Sequence, residues 1–365
     1  METVAFSRWL IGLVTLTHDQ RREAFQALAL CEAAAVDEPA DAPERHGDAL
    51  AGHLLVADSE RGTALPGAAA LPRVGADLVA DLGQRRVDRT GCPHCDSHDV
   101  VRWGKASSLP RYRCKGCRRT FNALTKTPLA HLHKKERWAL HTAAMMNGVS
   151  TAKAAKRCDV AYTTAFRWRH RFLAALAHDK PTSLSGIVES DETFILESFK
   201  GKRSGLARAP RKRGGKPAKT GISAEQIPVL VARDRLGATT DAVLAKLDRV
   251  SIVSALSGVV TPANELCCDG GKALLAFARR AGIPVHVLPV PGKPSPQAPH
   301  FHINNVNAYH GRLKEWMRRF HGVATKNLPN YLGWRRTLEA LGKNATPGHC
   351  ILGAIGLGPY QHNAL

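Results

Sequence analysis

The sequence predicts a multidomain α/β protein with N-terminal helices, a four-cysteine ribbon, a helix-turn-helix and a C-terminal mixed β-sheet domain. Three observations predict it: two Cys-x-x-Cys pairs at Cys92/Cys95 and Cys114/Cys117, a helical stretch broken at Asn147-Gly148, and strand and helix signals alternating from Gly186 onward. At 365 residues with 44% hydrophobic content, the chain can build more than one core. Its 52 Lys+Arg against 31 Asp+Glu leave a net charge of +21, which attracts polyanions such as a phosphate backbone. Ribosomal or membrane-surface association suits the composition as well. No membrane-spanning apolar run and no secretory leader pattern is visible, so we expect a cytoplasmic protein with no membrane partner.

In chain order, residues 1–34 carry Phe6, Trp9, Leu10 and Leu13 on one helical face and then Phe25, Leu28 and Leu30 after a break at Thr17-His18-Asp19. That spacing predicts a small helical segment. Residues 35–89 shift to Ala, Asp, Gly and Pro with weak periodicity, and read as a low-complexity linker with at most marginal helices.

Residues 90–122 hold C-x2-C-x18-C-x2-C with short β-prone runs between the pairs, the layout of a zinc ribbon. A pair two residues apart turns both sulfurs toward one ion, and two pairs close a tetrahedron. Four thiolates leave no open position, so Cys92, Cys95, Cys114 and Cys117 predict structural Zn2+. In a reducing compartment the pattern speaks for metal rather than disulfides.

Residues 125–180 predict the helix-turn-helix. Ser150 is an N-cap, Ala154, Ala155 and Cys158 line a short helix, Asp159-Val160-Ala161-Tyr162 turns the chain, and Thr163 to Leu173 forms the next helix. Arg167, Arg169 and Arg171 on that second helix are the expected DNA-reading residues; an ordinary three-helix bundle with a solvated basic face is the alternative.

Residues 185–336 predict strands at Ile187–Leu196, Gln226–Arg233, Ala238–Leu244, Glu265–Asp269 and Val285–Leu288. Helices are expected at Ser251–Val260, Lys272–Gly282 and Ile303–Phe320. Three strands, helix, strand, helix, strand, helix is the order of a ribonuclease-H-like catalytic domain. Residues 337–365 read as a C-terminal tail. Asp191 lies within an apolar strand, where a carboxylate is costly without a cation or partner, and Asp269 ends a strand before Gly270-Gly271. Each alone suits a surface carboxylate or a helix cap; together in this strand order they suit a two-metal phosphodiester site holding Mg2+ or Mn2+. The late helix offers no acid before Glu315, which points about 80° away from Asn307, whereas Asn307 and Lys314 share a face. Lys314 could meet a DNA phosphate or simply be solvated.

The run Phe121-Asn122-Ala123-Leu124-Thr125-x-Thr127-Pro128-Leu129, then Phe166-Arg167-Trp168-Arg169-His170-Arg171-Phe172, then Asp191-Glu192-Thr193 behind a ribbon resembles the zinc-ribbon-containing DDE-type insertion-sequence transposases. The resemblance runs from about Phe6 to Arg336. It implies that Asp191 and Asp269 are the first two catalytic acids. The third falls within His302-Ile303-Asn304-Asn305-Val306-Asn307, where Asn307 stands in the place usual for Glu; a subgroup carries Asn there with a Lys seven residues on, matching Lys314. It further implies a bacterial, nucleoid-associated enzyme acting as a homo-oligomer on double-stranded DNA. Its substrates are the terminal inverted repeats and the target DNA, and its reaction is strand cleavage followed by strand transfer. Residues 199–219 hold nine Lys/Arg and no acid, and we expect this insertion to clamp DNA through Lys200, Lys202, Arg203, Arg211, Lys212 and Arg213. Two competing readings are a non-catalytic DNA-binding regulator with a decayed nuclease domain, and an RNA-directed nuclease of similar fold.

Overall fold

The computed structural model describes residues 71–360, apart from 203, 207, 212–214, 216, 219–222, 289–294, 296 and 297. The helical segment expected at 1–34 and the first part of the linker expected at 35–89 lie outside the described residues, as do Arg203, Lys212 and Arg213.

The chain first departs from its composition at Leu71–Thr90, a 20-residue helix (α1) where a linker is expected. Its apolar signal is thin: among its described side chains, residues 78–90, the buried apolar ones are Val79, Leu82 and Val87. Tertiary contacts hold it instead, as they do most helices of weak periodicity. Arg86 donates to the backbone carbonyls of Ile355 at 2.8 Å and Ala123 at 3.0 Å, and a Cβ on Gly83 would lie 2.7 Å from that of Ala123.

The ribbon follows as a three-stranded antiparallel sheet of β1 (Val100–Ala106), β2 (Leu109–Cys114) and β3 (Thr120–Asn122). One face packs Tyr112, Phe121, Cys92 and Cys114 against Val87 of α1.

Helices α2 (Trp138–Met146), α3 (Thr151–Arg157) and α4 (Tyr162–Ala174) come next. Ser150 caps α3 by accepting from the Lys153 N–H, as its residue type predicts. A short turn at residues 158–161 separates α3 from α4, whose buried face is Ala165, Trp168, Phe172 and Leu173.

A five-stranded sheet ordered β6-β5-β4-β7-β8 forms the centre of the C-terminal half: β4 (Ile187–Leu196), β5 (Gln226–Asp234), β6 (Thr239–Val243), β7 (Glu265–Cys268) and β8 (Val285–Val287). β4, β5 and β6 pair antiparallel; β4, β7 and β8 pair parallel. The parallel pairs need crossovers, and α5 (Arg249–Leu256) and α6 (Lys272–Ala281) supply them. Both faces are covered, with strand alternation dividing the side chains. Leu230 and Ala232 face α5 and α6, while Val229 and Val231 face α7 (Asn304–Arg318) and α8 (Leu328–Leu341).

The second face shares one core with the helical region, since Trp138, Phe172, Leu176, Val231, Tyr309, Trp334 and Ile351 belong to a single buried cluster. The boundary expected between residues 180 and 185 therefore does not divide two cores. The buried Arg336 locks it: its guanidinium donates to the carbonyls of Leu176 at 2.8 Å and Asp179 at 2.9 Å and pairs with Asp241 of β6. Of the tail expected at 337–365, the described residues, 337–360, carry helices. α8 continues to Leu341, and α9 (Pro347–Ala354), opened by a Thr346–His349 capping box, buries Cys350, Ile351 and Ala354. Expected strand ends shift by a residue or so, with β7 stopping at Cys268 and leaving Asp269 just beyond it.

Candidate metal centres and nucleic-acid surfaces

In the ribbon, the four sulfurs lie within 4.8 Å of one another, with Cys92–Cys117 at 3.7 Å and Cys95–Cys114 at 3.6 Å. Thiolates about 2.3 Å from a common zinc, at tetrahedral angles, lie roughly 3.8 Å apart, so the cluster fits that ion. Backbone N–H groups of His94 and Cys117 each point at a sulfur from 3.4 Å. The Cys117 N–H donating to Cys114 brings that thiol down to about 7, toward the thiolate a metal requires.

The second cluster joins Asp191, Glu192 and Asp269, whose ligand oxygens also lie within 4.8 Å of one another. β4 pairs with β7 in parallel at Glu189↔Cys267, bringing the strand carrying Asp191 beside the strand that Asp269 follows. The Asp269 carboxylate accepts from the Gly271 N–H at 3.0 Å, fixing the turn into α6. Gly270 there has φ +91°, and a Cβ on it would approach Val287 to 3.0 Å, so this turn requires glycine. Burial, then the charges of Asp191 and Asp269, push Glu192 up to about 7. Three carboxylates held this close repel one another, and a hard cation with oxygen preference would relieve that repulsion. Sequence reasoning passed over Glu192, which alternation on a strand places on the face opposite Asp191. Its longer side chain nonetheless reaches the end of β7, with its carboxylate about 4 Å from where a Gly271 Cβ would stand.

α7 closes the other side of the site. Glu189, fully buried, accepts from the Val306 N–H at 2.9 Å, satisfying a free donor in the helix's first turn. His310 Nδ1 lies 3.6 Å from Asp191 Oδ2. Glu189 to Asp191 is about 6.6 Å of strand and Val306 to His310 about 6 Å of helix, so α7 runs along β4 in the same direction. Asn307 and Lys314 fall within about 60° of His310 on that helix, on the side turned to Asp191. Asn307 is half-buried and Lys314 exposed. Glu189 also pairs with Arg235, next to His302 at 3.3 Å. Arg235 in turn donates to the His300 carbonyl at 2.7 Å. This network ties β4, the β5–β6 turn and the start of α7 together. Glu189 precedes Asp191 by two residues on one strand face, the signal that could have revealed it.

The arginines expected to read DNA separate. Arg167 is exposed on α4. Arg169 is instead buried, donating to the Val149 carbonyl at 2.7 Å, and Arg171 donates to the carbonyls of Pro128 and, at 2.9 Å, Ala130. Both guanidiniums are thus engaged by backbone carbonyls, that of Arg169 buried and that of Arg171 half-buried. In the basic insertion Lys200 and Lys202 are exposed, while Arg211 pairs with Glu225 at 2.8 Å and donates to the Glu197 carbonyl at 2.7 Å, anchoring the insertion to β4 and β5. No described helix is long and apolar enough to cross a membrane.

Among known proteins, the chain is similar to an uncharacterized protein in transposable element ISH50 of Halobacterium salinarum (strain ATCC 700922 / JCM 11081 / NRC-1). The two are 35% identical over 167 residues, 45% of this chain. The chain spans about half, 55%, of that relative's length. Among solved structures, an intasome of simian T-cell lymphotropic virus in complex with PP2A regulatory subunit B56 gamma matches 53% of this chain and 67% of its own. That match has 11% identity and a TM-score of 0.26, too low to bear on the fold. Residues 183–335, the stretch from just before β4 to the middle of α8 that carries Asp191, Glu192, Asp269, Asn307 and Lys314, match the family model described as ISXO2-like transposase domain.

Proposed function

We propose that the protein is an insertion-sequence transposase that binds terminal inverted repeats on double-stranded DNA, cleaves the element ends and joins them to target DNA. The observation that carries this reading is the convergence of Asp191, Glu192 and Asp269 within the 183–335 match. The strand order supports a ribonuclease-H-like arrangement, and the two helices α3 and α4 support a helix-turn-helix with Arg167 toward DNA.

Asp191 and Asp269 hold the divalent cation, Mg2+ or Mn2+, with Glu192 adding charge and Asn307 offering an uncharged amide oxygen. When bound, such ions lower the pKa of attacking water and stabilise the leaving oxygen. Water oxygen bonds to the scissile phosphorus as the P–O3′ bond breaks, leaving a 3′-hydroxyl on the element end and a 5′-phosphate on the flank. That hydroxyl then attacks a target phosphorus and displaces the target's own 3′-oxygen. Lys314 supplies a positive charge to a DNA phosphate beside the site, and Lys200 and Lys202 extend that contact. Zn2+ in the four-cysteine ribbon is structural. We place the protein in the bacterial cytoplasm on the nucleoid, as a homo-oligomer pairing two ends.

Asp191→Ala tests this with a duplex carrying the inverted repeat that flanks the gene. Loss of Mg2+-dependent nicking with duplex binding retained supports the assignment; nicking that persists overturns it. A wild-type chain that binds this duplex yet never nicks it in Mg2+ or Mn2+ is a regulator instead.

A further inference from the structure

The outer face of the ribbon carries side chains that neither zinc binding nor the core uses. Tyr112 and Phe121 stack at 5.6 Å toward α1, so the strand neighbours Arg111, Arg113 and Thr120 point the opposite way. Trp103 joins them and is 49% exposed, while Trp138, Trp168, Trp316 and Trp334 are all buried. A register irregularity between Arg102 and Lys105, with Gly104 at φ +81°, turns this tryptophan out of the regular strand. Arg113 lays its guanidinium 4.8 Å from the centroid of the ring, which steadies the indole and covers one face only. Arg111 donates to Thr120 Oγ1 at 2.8 Å and lies across the same sheet surface. Lys105, Arg118 and Arg119 stand exposed in the same ribbon. Residues 100–135 contain ten Lys/Arg and no Asp or Glu.

We propose that this face binds single-stranded DNA, one unpaired base stacking on the open side of Trp103 and the flanking phosphates meeting Arg111 on that face and the ribbon's other exposed cations, Lys105, Arg118 and Arg119. The charge selects a polyanion, and the open aromatic face selects among polyanions. In a duplex every base face is already stacked, so an upright indole on a flat sheet gains nothing there. An unpaired base completes an Arg–Trp–base sandwich, and base stacking on an aromatic side chain tolerates any sequence. This surface lies on the ribbon and stands independently of the nuclease reading.

The test uses the full chain with a fluorescently labelled oligo-dT of about 15 nucleotides, a length that spans a single-strand site. Trp103→Leu is expected to weaken its binding by roughly ten- to hundred-fold, the loss of one stacked base, while Trp103→Phe keeps most of it. Binding of a blunt duplex of the same length stays within about two-fold in both variants. Because Trp103 is outside the core, zinc content and circular dichroism should match wild type, and a variant that loses zinc is replaced by Arg118→Ala/Arg119→Ala, whose expected signature is a shallower salt dependence for oligo-dT. The proposal is overturned if the wild-type chain ignores oligo-dT, if Trp103→Leu binds it normally, if duplex and single-strand affinity fall together, or if oligo-U is bound more tightly than oligo-dT.

Discussion

Neutralising Glu192 should stabilise the metal-free protein in a pH-dependent way that no change to an ordinary surface acid would produce. Burial and the neighbouring Asp191 and Asp269 raise this carboxyl from 4.5 to about 7. Between those values the folded chain holds a proton that the unfolded chain has released. Stability is therefore greatest below the unfolded value, declines as pH climbs and is lost as pH passes the folded value. At about 1.4 kcal/mol per pH unit the full swing is about 3 kcal/mol, an upper figure because the group is only partly buried and solvent screens its neighbours. Glu192→Gln mimics the protonated form, so its unfolding midpoint in urea should stay level between about pH 5 and about pH 8 where the wild type falls. Added Mg2+ should reverse the order at the alkaline end, since the ionised trio binds it and the amide removes one charge. The comparison is made without chelator, which would also strip the ribbon. Identical midpoints for Glu192→Gln and wild type at the alkaline end without divalent cation would refute the claim that these three carboxylates repel one another. A wild-type midpoint unmoved by Mg2+ would refute the cation site.

Two further outcomes test the remaining parts of the architecture. Cys114→Ser should bring the zinc content from one per chain to none and expose Tyr112, Phe121 and Val87, which share its small core; proteolysis confined to the segment around residues 90–122 reads this out, and a zinc-free ribbon as resistant as the wild type would contradict it. Glu189→Ala leaves Arg235 and His302 unpaired and the Val306 N–H without its acceptor, a loss of about 3 to 5 kcal/mol by urea unfolding, whereas Glu189→Gln, which can still accept from Val306, should lose distinctly less. Equal losses would mean that the charge, and not the helix contact, matters.

Much of this arrangement was legible because its signals are local. Ile187–Leu196 reads as a strand from its residues alone and forms over those bounds, since β-branched and aromatic side chains suit a sheet buried on both faces. The cysteine spacing fixes four ligands whichever way the intervening loop folds. Asp191 and Asp269 were found because an acid inside or just after an apolar strand demands a partner. What escaped depended on distant contacts. α1 has Val79, Leu82 and Val87 as buried apolar anchors among its described side chains and depends on carbonyls contributed from residues 123 and 355. α9 is short and glycine-containing, yet Gly353 packs against Leu176 with no room for a Cβ, an approach between segments far apart in sequence.

Charge was the least dependable guide, and the reason is physical. A run such as Arg167-Trp168-Arg169-His170-Arg171 cannot present every cation to one side, because successive helical residues turn by about 100°. With Trp168 and Phe172 committed to the core, Arg169 is buried and Arg171 half-buried against protein, and each meets backbone carbonyl oxygens there. Arg167 alone of the three keeps a wholly solvent-facing position on α4, where the aromatics Tyr162 and Phe166 are exposed beside it. The sequence of a basic helix thus overstates its outward-facing charge by the number of arginines its own core turns inward. The ribbon shows the converse. On its strands alternation sends Tyr112 inward and Arg111 and Arg113 outward, so a modest basic run there presents its charges together on one face.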